Sequence, residues 1–229
     1  MKYKAVIFDL YGTLVRTWPP EENKNALRQM ASYVSAPAHD FVQLWYDTFS
    51  QRMTGEFSDC QANIRYICER LGVSPEETMV EIAAKFRFDM TKRELMTPRP
   101  DARQTLSGLK LAGLITGLLS NCNAATPIIW KDTVFAPLID VPVFSYTTGL
   151  MKPDPQIFQL AIERLAVPPE SCLYVADGVD SELDVAAEIG MHPILIRVSD
   201  ENDWGPYQID EKDWDGIKIS SLGEVLDLL

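Results

Sequence analysis

The sequence predicts an α/β fold, a doubly wound parallel sheet of the Rossmann type carrying an inserted four-helix unit. Three observations lead there. Several short apolar runs lack polar alternation, as strands buried on both faces do. Helical patterns separate those runs, giving the strand and helix alternation of a parallel sheet. Between Arg16 and Thr97 the alternation stops, and only helical signals remain.

The first strand is expected at Lys4 to Phe8. In the insert, helices are expected around Lys24 to Tyr33, Phe41 to Met53 and Asn63 to Leu71. The last helix has a marked start: Gly72 closes its predecessor, Ser74 caps, Pro75 fills the first turn and Glu77 completes an S-x-x-E box. Met79, Ile82, Ala83 and Phe86 then predict its buried stripe. After the insert come helices at Asp101 to Leu111, Pro155 to Leu165 and Ser181 to Ile189. They interleave with strands at Leu114 to Leu119, Val143 to Tyr146, Cys172 to Ala176 and Pro193 to Ile196. The acidic run Asp200 to Asp215, with two tryptophans, is expected to be a solvated loop. The division is therefore a core of residues 1–15 and 98–229 and an insert of 16–97.

With 229 residues, 46% of them hydrophobic, the chain can build one sizeable core or a core with a smaller second unit. Its 33 acidic and 21 basic side chains give a net charge of -12, which repels nucleic acid and anionic membrane. The expected partner is a small molecule, and a phosphate-bearing one needs local positive charge. The insert holds ten basic and twelve acidic residues, so the acid belongs to the core. No segment approaches the roughly 18 apolar residues of a membrane span, and the short apolar run after the first lysines is too brief for a secretory signal, so a cytoplasmic protein is expected. Cys60, Cys68, Cys122 and Cys172 lack C-x-x-C spacing, which argues for buried or free thiols rather than zinc ligands.

In an open α/β sheet ligands collect at the carboxyl ends of the strands, so polar residues directly after the apolar runs are the candidates. The first run ends in Asp9, ahead of Leu10-Tyr11-Gly12-Thr13; alone, such an aspartate also reads as a turn cap. The second ends in Ser120 and Asn121, suited to holding phosphate oxygens or to capping. Lys152 lies in Gly149-Leu-Met-Lys-Pro-Asp, just before a helix. Asp177 ends a further run, with Asp180, Glu182 and Asp184 close behind, where acids also complement a helix dipole. Together these groups supply what an aspartyl-phosphate mechanism needs: a carboxylate nucleophile, a cation, a hydroxyl and further carboxylates for magnesium. His39, at a helix start, and His192, opening a strand, are not assigned to catalysis.

Four segments in this order, Asp9-Leu-Tyr-Gly-Thr-Leu14, Leu119-Ser-Asn121, Lys152-Pro-Asp154 and Val175-Ala-Asp177-Gly with Glu182, resemble the motifs of the haloacid dehalogenase superfamily. Pro100-Asp-Ala-Arg-Gln-Thr-Leu and Glu188-Ile-Gly-Met191 resemble further segments of it, and the insert resembles the helical cap of its first subclass. The resemblance implies a hydrolase in which Asp9 attacks while Ser120 and Lys152 hold phosphoryl oxygens. It also implies Mg2+ held by Asp9, the Tyr11 carbonyl, Asp177 and Glu182, with Tyr11 and Asn121 as substrate contacts.

One position departs from the phosphatase pattern. Two residues after the nucleophile stands Tyr11 rather than a second aspartate. A phenol of pKa about 10 is a poor base at neutral pH, so a contribution of roughly 10² to 10⁴-fold from general acid/base catalysis is in question. Asp-x-Tyr-Gly-Thr also marks the metal-independent 2-haloacid dehalogenases, the alternative reading. Their fourth motif is rich in serine and asparagine, unlike Asp177 and Glu182, and their cap arginine has no counterpart near Pro37, leaving Arg52 as a substitute to be sought in space. A binding protein without activity is the third reading. Trp18, Trp45, Tyr46 and Phe49 are candidates for the cleft, although helix-core packing accounts for such residues more readily.

Overall fold

The computed structural model describes residues 2–198 and 213–229. Six parallel strands, β1 (Ala5–Phe8), β2 (Ile115–Ser120), β3 (Val141–Phe144), β4 (Cys172–Ala176), β5 (His192–Ile196) and β6 (Ile217–Ile219), form one sheet in the order β3-β2-β1-β4-β5-β6. Every residue of β1 and β4 is buried, which explains why their sequences do not alternate. Val6, Phe8, Leu118 and Val175 pack on one face against α6 (Ala102–Leu111) and the C-terminal 3-10 helix Leu222–Leu228. Ile7, Leu119 and Tyr174 pack on the other against α9 (Pro155–Leu165) and α10 (Glu182–Ile189).

Between β1 and α6 the chain is helical: α1 (Pro20–Tyr33), α2 (Ala38–Asp47), α3 (Phe49–Met53), α4 (Cys60–Arg70) and α5 (Glu77–Leu95). These helices enclose a hydrophobic cluster of their own, built on Leu27, Met30, Phe41, Trp45, Ile64, Ile67, Val80 and Ala83. Five helical segments replace the four expected, because the helix predicted over Phe41 to Met53 breaks at Thr48. The Thr48 hydroxyl donates to the carbonyls of Leu44 at 2.8 Å and Trp45 at 3.2 Å, competing with the ladder of the preceding turn.

The start of α5 also differs from expectation. Glu76 occupies the cap position and no side chain caps the helix, while the Glu77 carboxylate is drawn to Arg65 Nε at 3.2 Å. Its buried face runs through Val80, Ala83, Ala84, Met90 and Leu95, and Ile82 is exposed, because that is the face turned to the cluster around Leu27 and Ile64. Gly72 does close the preceding helix, in the left-handed region at φ 67°.

In the core, β3 begins at Val141 and the chain has already entered α8 (Ser145–Thr148) where the strand was expected to continue to Tyr146. The Ser145 hydroxyl accepts the Cys122 N–H at 2.9 Å, which draws that residue out of the strand. Strand β6 was not anticipated. The acidic run predicted as a solvated loop lies outside the described residues over 200–212, but Trp214 at its end is buried, donating Nε1–H to the Ile217 carbonyl at 3.1 Å. All four cysteines are free, and three are buried. Among the described residues no helix is long and apolar enough to cross a membrane.

The two passages between the sheet and the helical insert run side by side. Val15 bridges Pro98, and the Arg99 N–H donates to the Leu14 carbonyl at 2.9 Å. The buried Arg99 guanidinium donates to the carbonyls of Thr13 and Gly12, each at 2.7 Å.

Candidate active site

Because β1, β2 and β4 are parallel and in register, with Phe8 opposite Leu118 and Val175, they deliver Asp9, Ser120 and Asp177 to one sheet edge. The Asp9 N–H is fixed by the Val175 carbonyl at 2.9 Å. Gly12, at φ 86°, lets the chain turn under Asp177: a Cβ there would stand 2.2 Å from Asp177 Oδ2.

Lys152 reaches the edge from the loop before α9, and Asn121 holds it there. The Asn121 amide nitrogen donates to the Lys152 carbonyl at 2.9 Å and its oxygen accepts the Lys152 N–H at 2.8 Å. From that anchor the ammonium donates to Asp9 Oδ1 at 2.5 Å, Glu182 Oε2 at 2.6 Å and Tyr174 Oη at 3.3 Å. Tyr174 donates in turn to Glu182 Oε2 at 2.6 Å. Glu182 Oε1 is buried and has no hydrogen-bond partner. Oxygens of Asp9, Asp177 and Glu182 all lie within 4.8 Å of one another.

The family model of the haloacid dehalogenase-like hydrolases matches residues 3–190. The chain belongs to this family. It is 28% identical over 232 residues to a glyceraldehyde 3-phosphate phosphatase of Methanopyrus kandleri, an alignment covering 99% of this chain and 97% of that one. It is 26% identical to an (S)-2-haloacid dehalogenase of Burkholderia cepacia, over 85% of this chain and 83% of the relative. In fold it is similar to a haloacid dehalogenase family phosphatase of Thermococcus onnurineus, with a TM-score of 0.66 at 21% identity, covering 98% and 97% of the two chains.

Electrostatically the hydrolase gathers the buried carboxylates of Asp9, Asp177 and Glu182 beside the Lys152 ammonium, with Arg197 at the Asp177 carbonyl. Burial pushes the Asp9 carboxyl up to about 6; Lys152 opposes that rise and Glu182 adds to it. Burial works against the Lys152 charge, but Asp9 and Glu182 outweigh it and hold the ammonium above its ordinary value. The Tyr174 phenol is raised well above its usual range by burial, then by Glu182 and Asp9, and stays a donor.

The structure brings Asp9, Lys152, Asp177 and Glu182 together, with Ser120 fully buried at the same edge. Two expected substrate contacts are turned elsewhere. Asn121 uses both ends of its amide on the Lys152 backbone. The Tyr11 phenol shares a 2.8 Å hydrogen bond with Thr126 Oγ1 on α7 (Ala125–Trp130), so it faces the helices rather than the carboxylates. Asp184 is exposed and His39 lies on the surface, while His192 meets the Glu170 carbonyl at 3.1 Å.

Three residues escaped the sequence reading. Tyr174 was hidden inside an apolar run, and Arg99 inside a Pro-Arg-Pro segment with no strand before it. Arg197, which donates to the Asp177 carbonyl, directly follows β5 and was open to the same rule that singled out the other strand-end residues.

Proposed function

We propose that this hydrolase is a magnesium-dependent phosphatase that acts on a small phosphate monoester through an aspartyl-phosphate at Asp9, with residues 16–97 as a cap over the cleft. One observation carries the reading: Glu182 Oε1 is a buried oxygen without a partner, in a cluster where oxygens of three buried carboxylates lie within 4.8 Å of one another. Uncompensated buried carboxylate costs several kcal/mol, and hard oxygen donors at one sheet edge suit a divalent cation. Asp9, Asp177, Glu182 and the Tyr11 carbonyl would hold Mg2+, which when bound neutralises phosphoryl charge and orients the phosphate. The phosphatase relative and the free thiols agree with a cytoplasmic enzyme of this kind.

The chain's own groups then divide the work. The Asp9 carboxylate attacks phosphorus, forming an O–P bond as the ester O–P bond breaks and the alcohol oxygen leaves with the electron pair. Water next attacks the phosphoryl group, releasing inorganic phosphate and restoring the carboxylate; the proton it sheds passes to solvent, which protonates the departed alkoxide. Ser120 donates to phosphoryl oxygens, and Lys152 offsets the charge of both nucleophile and transition state. Asn121 and Tyr174 position Lys152 and Glu182 by the hydrogen bonds described above. With Tyr11 turned to Thr126, no carboxyl two residues after Asp9 protonates the departing oxygen.

The experiment is turnover of an aryl phosphate and of 2-chloropropionate, each with magnesium and with chelator, by the wild type and by Asp9→Asn. Aryl phosphate hydrolysis that needs magnesium and falls to background in Asp9→Asn is the expected result. Chloride release undiminished by chelator, without phosphate release, would make the dehalogenase reading the correct one.

A further inference from the structure

A cavity of about 380 Å³ opens between the helical insert and the core. Four separate stretches of chain each give it an aromatic side chain: Trp45 from α2, Phe57 from the loop before α4, Phe88 from α5 and Tyr146 from α8. Ala84, Ala125 and Ile128 complete the apolar part of the wall. Ile128 is 59% exposed, so α7 leaves an apolar face open toward this space.

The charged residues of the wall are engaged by the protein itself. Arg52 donates to the Trp45 carbonyl and to Thr48 Oγ1 and lies over the Trp45 ring. Arg87 donates to Asn23 Oδ1 at 2.8 Å and faces the Glu94 charge. Asp59 accepts the Ala62 N–H, Lys85 pairs with Asp89, and Glu81 is exposed to solvent. Carbon predominates on the surface that remains, which suits an apolar ligand. A cavity of about 150 Å³ with aliphatic and aromatic walls already admits benzene.

Contacts join this cavity to the nucleophile loop. Tyr11, two residues from Asp9, packs with Phe88, Ala125 and Tyr146 against one hydrophobic cluster. Its phenol is bonded at 2.8 Å to Thr126, the residue after Ala125. The same bond engages the hydroxyl at the position where the phosphatase pattern has a proton-donating carboxyl. A leaving oxygen here departs with the electron pair of the O–P bond and takes its proton from solvent afterwards. That departure is hard for an alkoxide and much easier for a phenolate, whose conjugate acid has a pKa of about 10.

We infer that the cavity is a ring-binding pocket for the leaving group, and that the substrate is an aryl phosphate. The apolar wall and the missing acid are independent observations, and a phenolic leaving group satisfies both. This rests on phosphoryl transfer at Asp9 as proposed above and adds the substrate class.

Calorimetry with the Asp9→Asn protein and magnesium reads the pocket without turnover, using 2-naphthyl phosphate and glycerol 3-phosphate. The naphthyl ester should bind at least about tenfold more tightly. Ile128→Asn changes an exposed residue of the wall, outside the groups that perform the chemistry. In the same background it should weaken the naphthyl ester about fivefold and leave inorganic phosphate unchanged, and Ile128→Leu should restore the affinity. Cyclohexylmethyl phosphate is apolar and close in size to phenyl phosphate but leaves as an alkoxide, so it separates ring binding from acidity. In single-turnover kinetics of the active enzyme it should react at least about 10²-fold more slowly than phenyl phosphate. Equal affinities of the naphthyl and glycerol esters, or naphthyl binding untouched by Ile128→Asn, would overturn the pocket. Equal single-turnover rates of the phenyl and cyclohexylmethyl esters would overturn the aryl class, because another acid would then serve the reaction. Naphthyl binding that depends on Ile128, with no ester hydrolysed by the wild type, would uphold the pocket and sink the phosphatase reading.

Discussion

Both ends of the Asn121 amide grip the main chain of Lys152, and two further groups, Asp9 and Glu182, hold its ammonium. Asn121→Ala removes two hydrogen bonds at about 1 kcal/mol each and frees the loop that carries the lysine. We expect urea unfolding to show a loss of roughly 1–3 kcal/mol and kcat to fall more than KM rises, because a displaced ammonium weakens the transition state first. Tyr174→Phe is the milder counterpart: it deletes the donor to Glu182 Oε2 while keeping the packing against Phe158. Its expected signature is altered magnesium affinity, read by metal titration of activity, with little change in fold by circular dichroism. At this scale the sequence was legible wherever a polar residue directly ended an apolar run, as at Asp9, Ser120 and Asp177. It was opaque where a group acts from inside a strand, as Tyr174 does.

The end of α5 carries a pH-sensitive element. Burial lifts the Glu94 carboxyl to about 7, against the opposing pull of Arg87 and the Trp18 N–H. A carboxyl raised in the folded state favours folding while protonated, so its contribution is complete below the unfolded value of 4.5 and is lost as pH rises through about 7. Glu94→Gln keeps the shape without the titration. Wild type and variant should therefore be close in stability at pH 5, with the wild type weaker by on the order of 1–3 kcal/mol at pH 8. Urea unfolding at both pH values checks this, and an identical gap at each would exclude a raised Glu94. Helix ends were also where local signals misled. The S-x-x-E pattern at Ser74 was overridden by the attraction of Glu77 to Arg65, and a continuous apolar stripe concealed the break at Thr48. Asp59 is a cap with direct geometric support, its carboxylate accepting the Ala62 N–H at 2.8 Å. Asp59→Ala should cost about 1 kcal/mol by thermal or urea unfolding.

Across the whole molecule, the parallel core was legible because burial on both faces writes itself into uninterrupted apolar runs, as in Ala5–Phe8 and Cys172–Ala176. Strand β6 was not, since Ile217–Ile219 is three residues long with an exposed first isoleucine. How the helical insert sits on the sheet was equally hidden, because that contact depends on single residues such as Tyr146, whose hydroxyl donates to the Ser58 carbonyl at 2.5 Å. Arg99 is the long-range tie that joins the passages between these units. Arg99→Met should lower stability by roughly 2–4 kcal/mol, since it leaves the buried carbonyls of Gly12 and Thr13 without their charged donor. Hydrogen exchange of the Leu14-to-Val15 and Pro98-to-Arg99 segments should accelerate together in that variant. Joint protection follows from the pairing of Val15 with Pro98, and that pairing has a consequence in chain statistics. Seen from the sheet, the insert leaves and returns at a single point. It is a loop whose ends are already closed, so its length adds only slowly to the entropy cost of assembling the core. Insertions and replacements within the helices are thereby decoupled from the sheet edge that holds Asp9.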